Sequence, residues 1–226
     1  TAKELGWVIA PGKLQPCEHC AKSKAKQKNE VKKSASSAKA EKPGERVYLD
    51  LSKVTVAGEN GVEELNKKHW KIIVDEKTGK KWSEFSETKS GMVEPTCEWL
   101  NKMKTRGIPV KVIRLDPGGE NLKLEKRCST QEWQSLQPIE FEFTSRDTPQ
   151  HNSLAEVAFP YLAGKARSMM GAANIPQGKR RLVVLEALKC ATQLDGLRVI
   201  ELKGDSAGTV RRITRDQAVL GANPKW

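Results

Sequence analysis

Five short segments of the chain combine apolar residues with alternating polar positions, and each predicts a β-strand. They span residues 47–52, 70–75, 81–86, 110–115 and 139–143. Apolar residues at helical spacing predict helices over 95–106, 130–136, a stretch that follows Pro149, and 181–194. Strands followed by alternating helices and strands indicate an α/β fold with a mixed sheet.

The helix that follows Pro149 is expected to be amphipathic. Helical spacing puts seven apolar residues on one face, namely Leu154, Val157, Ala158, Tyr161, Leu162, Ala166 and Met169. This face is therefore predicted to pack against the sheet.

The composition divides the chain into four parts. Residues 1–21 end in a Cys-x-x-Cys tract, and residues 22–45 are rich in Lys, Ser and Ala and are typical of a basic flexible linker. Residues 46–175 carry the dense strand and helix signals, so they are predicted to form the main domain. Residues 176–226 are expected to form a helical and basic C-terminal extension.

The net charge of +12 and the isoelectric point near 9.5 favour a polyanionic partner, most simply nucleic acid. Residues 22–46 hold nine Lys or Arg and three Glu, which is half of the net charge. A solvated linker and a basic arm on a phosphate backbone are both compatible with that stretch. No apolar run is long enough to span a membrane. Five cysteines at irregular spacing argue against a disulfide framework and for an intracellular setting.

Three acidic residues are candidates for a metal site: Asp50, Asp116 and Glu156. Asp50 lies within a predicted strand, where aspartate is uncommon, so function explains it better than structure does. Asp116 ends a strand before Pro-Gly-Gly and could serve only as a turn residue. Glu156, in the first turns of a helix, could simply complement the helix dipole. Asp75 is a rival carboxylate whose position before Lys-Thr-Gly indicates a hairpin turn.

Three clustered carboxylates repel one another, by roughly 4 kcal/mol for a pair at about 4 Å and an effective dielectric near 20. A divalent cation such as Mg²⁺ prefers oxygen ligands and converts that repulsion into binding. Two such ions can stabilise the attacking and leaving oxygens of phosphoryl transfer.

Several tracts occur in an order that is more specific than any one of them. They are Cys17-Glu-His-Cys20, Val47-Tyr-Leu-Asp50, Ile73-Val-Asp-Glu-Lys-Thr78, Arg114-Leu-Asp-Pro-Gly-Gly-Glu-Asn121, Ser145-Arg-Asp-Thr-Pro-Gln-His-Asn-Ser-Leu-Ala-Glu156 and Ala166-Arg-Ser-Met-Met170. In these tracts residues 16–226 resemble the integrase region of copia-type long-terminal-repeat retrotransposon polyproteins.

The resemblance implies a ribonuclease-H-like core of five mixed strands flanked by helices, with Asp50, Asp116 and Glu156 as the catalytic residues. It implies two Mg²⁺ (or Mn²⁺) ions, with Asp50 bridging them. The expected reaction inserts element DNA into host DNA by strand transfer, with trimming of 3′ ends as a further possibility. The alternative is an inactive element copy that retains the fold and binds nucleic acid.

The resemblance also implies a zinc-binding region before the core. Cys17 and Cys20 are expected to be zinc ligands that need two histidines upstream of this sequence. Residues 1–21 are therefore predicted to be a remnant of that region.

Further residues are predicted to contact DNA. Gln150 and Asn152 lie in the loop that the family places beside the active site, although Asn152 could act only as a helix cap. Lys165 and Arg167 are predicted DNA contacts farther along the helix. The expected partners are double-stranded DNA and further copies of the same chain, without a membrane, in a cytoplasmic particle and the nucleus.

The sequence departs from the family in the helix that carries Glu156. The family has basic residues just after the glutamate, whereas Val157 and the four residues after it contain none. Pro160 cannot donate a hydrogen bond to the Glu156 carbonyl, which predicts a kink or an unpaired carbonyl there.

Overall fold

A computed structural model describes residues 18–19, 39–58, 61–144, 153–203 and 210–221. Its main sheet has five strands: β1 (Arg46–Gly58), β2 (Gly61–Asp75), β3 (Lys81–Ser86), β4 (Val112–Leu115) and β5 (Glu140–Phe143). They lie in the order β3-β2-β1-β4-β5. β2 is antiparallel to β1 and β3, whereas β4 is parallel to β1 and β5. The predicted five-stranded mixed sheet is therefore confirmed.

Helices connect and follow these strands. They are α1 (Val93–Thr105), α2 (Gly119–Cys128), α3 (Gln131–Leu136), α4 (Ser153–Ala172), α5 (Val184–Gly196) and α6 (Arg215–Leu220). A hairpin of β6 (Val199–Lys203) and β7 (Val210–Thr214) lies between α5 and α6. In the described part of the chain, no helix has the length and apolar character needed to cross a membrane.

Each face of the sheet is covered by helices, because the strands alternate apolar side chains between two cores. One core joins Leu49 and Ile113 to α1, α2 and α3. The other joins Tyr48 and Ile72 to α4 and α5. Full burial of each large apolar side chain contributes about 1.5–3 kcal/mol, so both layers of helices are held firmly on the sheet.

The buried face of α4 differs from the predicted one. Its fully buried residues are Ala155, Ala158, Leu162, Ala166 and Met170. Leu154 and Val157 are instead 40% and 62% exposed, so placing them on the packed face was wrong. The physical reason is size, since three alanines let this helix lie close to the sheet, a contact that a count of apolar residues does not reveal.

Helix α2 has no counterpart in the sequence prediction, because the Pro-Gly-Gly tract after Asp116 favours a turn. Gly118 is the N-cap, in an extended conformation, and Gly119 is already helical. The available signal was charge: Glu120 lies in the first turn and basic residues lie in the last turn, which complements the helix dipole. The β6–β7 hairpin and α6 were also not predicted.

Asp195 on α5 forms the centre of a buried ionic cluster that ties α6 to the core. Its carboxylate is fully buried and accepts hydrogen bonds from Lys81 (2.8 Å), Lys165 (3.1 Å) and Arg215. Burial alone would raise the pKa of Asp195, but the charge and hydrogen bond of Lys81 outweigh it and lower the pKa to about 2. The cluster therefore joins β3, α4, α5 and α6.

Asp75, the rival carboxylate, has a structural role. It is fully buried at the end of β2, where one oxygen accepts from the Thr78 amide (2.8 Å) and hydroxyl (2.7 Å). The other oxygen accepts from the Gly44 amide at 2.7 Å. Burial raises the pKa of Asp75. The side chain thus closes the turn before β3, as the sequence suggested.

Candidate active site

Strand pairing places Asp50 and Asp116 side by side. β1 and β4 are parallel, with Tyr48 opposite Arg114. Asp50 lies two residues after Tyr48, within β1, and Asp116 lies two residues after Arg114, immediately after β4. Because side chains alternate in a strand, Asp50 lies on the same face as Tyr48, the face that α4 covers.

Glu156 reaches this region from α4, in the first turn of the helix. The Ala155 and Ala158 side chains on either side of it are fully buried against the sheet, whereas Glu156 itself is exposed. Packing of the alanines therefore sets the position of the glutamate backbone. We call Asp50, Asp116 and Glu156 the carboxylate triad.

The electrostatics of Asp50 indicate that the triad residues lie near one another. Burial raises the pKa of Asp50 to about 6, against a backbone hydrogen bond from Leu51 that lowers it. The charges of Asp116 and Glu156 contribute to this rise, after burial. Burial also raises the pKa of Glu156. The three carboxylates consequently repel one another in the absence of a cation.

Asn121 holds Asp116 in place. The buried Asn121 amide donates to the backbone carbonyl of Asp116 at 3.0 Å and to its carboxylate. Asn121 belongs to the first turn of α2, whose amides bond to the Gly118 carbonyl. The tract after Asp116 therefore folds into a helix that returns a side chain to the aspartate, a role that turn signals did not reveal.

A polar network beneath the two aspartates joins three strands. Arg114 donates to the Tyr48 hydroxyl at 3.2 Å and to the Glu142 carboxylate at 2.7 Å. Tyr48 in turn donates to Glu76 at 3.0 Å. These bonds connect β1, β4 and β5 directly below the triad and hold the pairing that aligns Asp50 with Asp116.

A basic side chain approaches the triad from a loop, although basic residues are missing just after Glu156. Lys89, in the loop before α1, lowers the pKa of Asp50 through its charge and pairs with Glu120 at 3.6 Å. The pKa of His69 is lowered by burial and then by the charges of Lys89, Lys68 and Lys53. The sequence missed this group because its members are far apart along the chain.

The structure separates the two basic residues that were predicted to contact DNA. Lys165 is bound to Asp195 at 3.1 Å and lies over the Tyr161 ring at 4.7 Å. Its ammonium therefore belongs to the ionic cluster. Arg167, on the same helix, is exposed. Contact with DNA stays a prediction for both.

Four other predicted site residues lie outside the described part of the chain, namely Gln150, Asn152, Cys17 and Cys20. The described residues between the cysteines lie against α4, since the Ser168 hydroxyl donates to the His19 carbonyl at 3.2 Å. Their proposed roles stay predictions.

Helix α4 continues without interruption through Pro160. Proline has no N–H, so the Glu156 carbonyl lacks the bond that a residue at position 160 normally donates. The structure shows that the proline does not end the helix.

The chemistry of the triad fits a divalent cation. All its donors are carboxylate oxygens, which Mg²⁺ prefers, and their mutual repulsion at Asp50 is what a cation would relieve. Within the described ranges, no three His, Cys, Asp or Glu side chains converge closely enough to hold a metal ion. Binding therefore requires the triad side chains to move closer together.

Comparison with solved structures identifies the fold. A chain of the simian T-cell lymphotropic virus intasome in complex with PP2A regulatory subunit B56 gamma is similar with a TM-score of 0.52 and 16% identity. The match covers 84% of this chain and 60% of that one. The HTLV-2 integrase catalytic core domain in complex with magnesium (trimeric form) has a TM-score of 0.49 and 16% identity, covering 79% of this chain and 97% of that one.

No protein-family model and no curated protein matches the sequence. The similarity to the intasome chain concerns the fold alone, a ribonuclease-H-like mixed sheet of five strands flanked by helices. The triad lies on this fold at the point where β1, β4 and α4 meet.

Proposed function

We propose that this chain is the catalytic region of a retrotransposon integrase of the copia type, which joins element DNA to host DNA. The proposal rests on one observation, the assembly of the three acids. Parallel pairing of β1 and β4 sets Asp50 beside Asp116, and α4 brings Glu156 close enough for the charges of Asp116 and Glu156 to raise the pKa of Asp50. A turn could explain Asp116 and the helix dipole could explain Glu156, but neither explains why both lie near Asp50.

In strand transfer the 3′ hydroxyl of one DNA end attacks a phosphodiester of the target. A new phosphorus–oxygen bond forms and the target's bond to its own 3′ oxygen breaks. The attacking hydroxyl gives up a proton to solvent and the leaving 3′ oxygen takes one up, so one 3′ hydroxyl is exchanged for another. When bound, two divalent ions would activate the attacking oxygen and stabilise the leaving one.

The residues of this chain position that chemistry. Asp50, within the sheet, would bind both ions, while Asp116 and Glu156 would each hold one of them. Asn121 fixes the orientation of the Asp116 carboxylate. Ionised carboxylates are required, so cation binding should lower the raised pKa of Asp50.

The proposed partner is double-stranded DNA. The net charge of +12 favours a polyanion, and Lys89 adds positive charge beside the triad, while Lys53 and Lys68 add it near His69. Assembly of several copies is also proposed, because two DNA ends and one target must meet. Sedimentation of the protein with and without DNA tests this assembly.

An inactive element copy that binds nucleic acid is the second candidate. It is favoured by the absence, among the described side chains, of three donors already converged on one point. The exposed residues Val157 and Pro160 near Glu156 also favour this candidate, since neither carries a charge that could bind the DNA backbone.

A strand-transfer assay with Mg²⁺ or Mn²⁺ decides between the two candidates. Wild type should join labelled DNA ends to a target, Asp116→Asn should abolish joining, and Glu186→Gln, at an exposed carboxylate on α5, should leave it unchanged. Equal joining by wild type and Asp116→Asn would refute the enzymatic proposal. Salt-dependent DNA binding without any joining would support the inactive copy.

A further inference from the structure

A cavity of about 320 Å³ lies between the second half of β1 and helix α4. Its walls include Val54 and Val56 from β1 and Phe159, Ala163 and Met170 from α4. The volume is at the lower end of the range for small-molecule sites, about 300–1,000 Å³. It is suited to one flat ring system and too small for a base pair.

The cavity begins beside the carboxylate triad and leads away from it. Ser52 and Pro160 line its near end, only two and four residues beyond Asp50 and Glu156 on their respective elements. At about 3.3 Å per strand residue and 1.5 Å per helical residue, that end is roughly 6–7 Å from the acids. The far end, at Met170, is roughly 20 Å along α4.

The interior of the cavity is apolar and its ring wall is held in place. The Phe159 ring meets the buried Trp70 edge to face, with centroids 5.0 Å apart and an interplanar angle of 82°. Trp70 donates to the Ser83 hydroxyl at 3.0 Å, which fixes its own orientation. The half-buried Phe159 therefore offers a preorganised apolar wall.

The rim of the cavity is cationic. Lys53 and Arg167 are exposed there, and Arg180 is oriented by a bond from its Nε to the Ile175 carbonyl at 3.1 Å. None of the described lining residues is Asp or Glu. An apolar slot with cations at its mouth and no carboxylate complements a base attached to its phosphates.

We infer that this cavity holds one unpaired nucleotide of the DNA end that reacts at the triad. The inference rests on the proposed function and deepens it. An unpaired base can leave the stack and enter a protein pocket, whereas a paired base cannot reach it without breaking its pair. Phe159 and Ala163 enclose the base, while Arg167 and Arg180 contact its phosphates.

Fluorescence anisotropy without metal tests this binding apart from catalysis. The probes are one duplex with a two-nucleotide unpaired tail and the same duplex with an abasic tail of equal charge. Wild type should bind the base-bearing tail about tenfold more tightly, the order expected for one stacked base. Ala163→Trp, which fills the cavity, should abolish that preference, while Ala172→Trp, which adds the same ring at an exposed position of α4, should retain it.

The charge of the rim is tested separately. Arg167→Ala should weaken both tailed duplexes and flatten the salt dependence of binding, and Arg106→Ala, an exposed arginine at the end of α1, should change neither. Val56→Trp fills the cavity from the opposite wall, so it serves if Ala163→Trp does not fold. Near-ultraviolet circular dichroism establishes folding for each variant.

Equal affinity of wild type for the base-bearing and abasic tails would overturn the inference, as would full preference in a folded cavity-filling variant. Joining of DNA ends by wild type distinguishes this failure from that of the proposed function. If wild type joins DNA ends but does not prefer the base-bearing tail, only the inference about the cavity is refuted. If wild type prefers that tail but does not join DNA ends, only the enzymatic proposal is refuted.

Discussion

Replacing Asp50 with asparagine should stabilise the metal-free protein at neutral pH. Burial and the charges of Asp116 and Glu156 raise the pKa of Asp50 from 3.8 to about 6. Asparagine has nearly the same shape and can still accept the hydrogen bond from the Leu51 amide, which is 2.8 Å long in the wild type. The substitution therefore removes the unfavourable charge with little loss of packing.

Proton linkage explains why removing the Asp50 charge should increase the free energy of unfolding at neutral pH. Below about pH 3 the carboxyl is mostly protonated in both the folded and unfolded states, so it favours neither. As pH rises, the unfolded state ionises first, and the stability associated with the raised pKa is lost through pH 6. A shift of about two units corresponds to at most about 3 kcal/mol. Because Asp50 is only half-buried, solvent screening reduces this to about 1–2 kcal/mol.

Urea unfolding in EDTA, followed by circular dichroism, measures this effect. Asp50→Asn should exceed wild type by about 1–2 kcal/mol at pH 7.5 and approach it as the pH falls to about 3. Adding Mg²⁺ should stabilise wild type more than the variant, because the cation binds the folded site. A variant that is less stable at pH 7.5, or an offset that is equal at both pH values, would refute the proposed repulsion within the triad.

Three further substitutions test the surrounding structure. Asp195→Ala should cost about 3–5 kcal/mol of unfolding free energy because it leaves buried cations unpaired, whereas Glu186→Ala, in an exposed ion pair, should cost less than about 1 kcal/mol. Gly44→Ala should destabilise the fold by about 2–4 kcal/mol, since a Cβ there would overlap the Ile108 side chain. Gly107→Ala shares the positive φ but has open space, and should cost only about 1 kcal/mol; equal losses would contradict the steric account. Asn121→Leu should lower the rate of strand transfer at least tenfold without weakening DNA binding, and a parallel loss of both would contradict its positioning role.

The predicted strands could be located from sequence because alternation of side chains is a local property. Strands β3 and β5 were predicted within one residue of their ends. β1 and β2 proved longer than predicted, since they continue as a hairpin to Gly58 and from Gly61. The charged pairs at 63–64 and 67–68 interrupt the apolar alternation in the β2 extension. The β1 extension keeps the alternation at Val54 and Val56, so its signal was present in the sequence.

The candidate acids could also be named from sequence, because an aspartate in an apolar strand requires an explanation. Their assembly could not be derived in the same way. Lys89 approaches Asp50 from a loop 39 residues farther along the chain, and Asn121 reaches Asp116 only because the two glycines between them start a helix. Such contacts depend on chain geometry that no local pattern contains.

The sequence by itself located the five strands of the main sheet and four of the helices, named the acids that could bind metal, and favoured a polyanionic partner. Only the tertiary structure decided that Asp50 lies beside Asp116, that alanines rather than Leu154 and Val157 face the sheet, and that Lys165 binds Asp195. The physical reason is that propensity and alternation act between near neighbours. Strand register, helix rotation and ion pairing are instead set by packing between residues that are far apart in the chain.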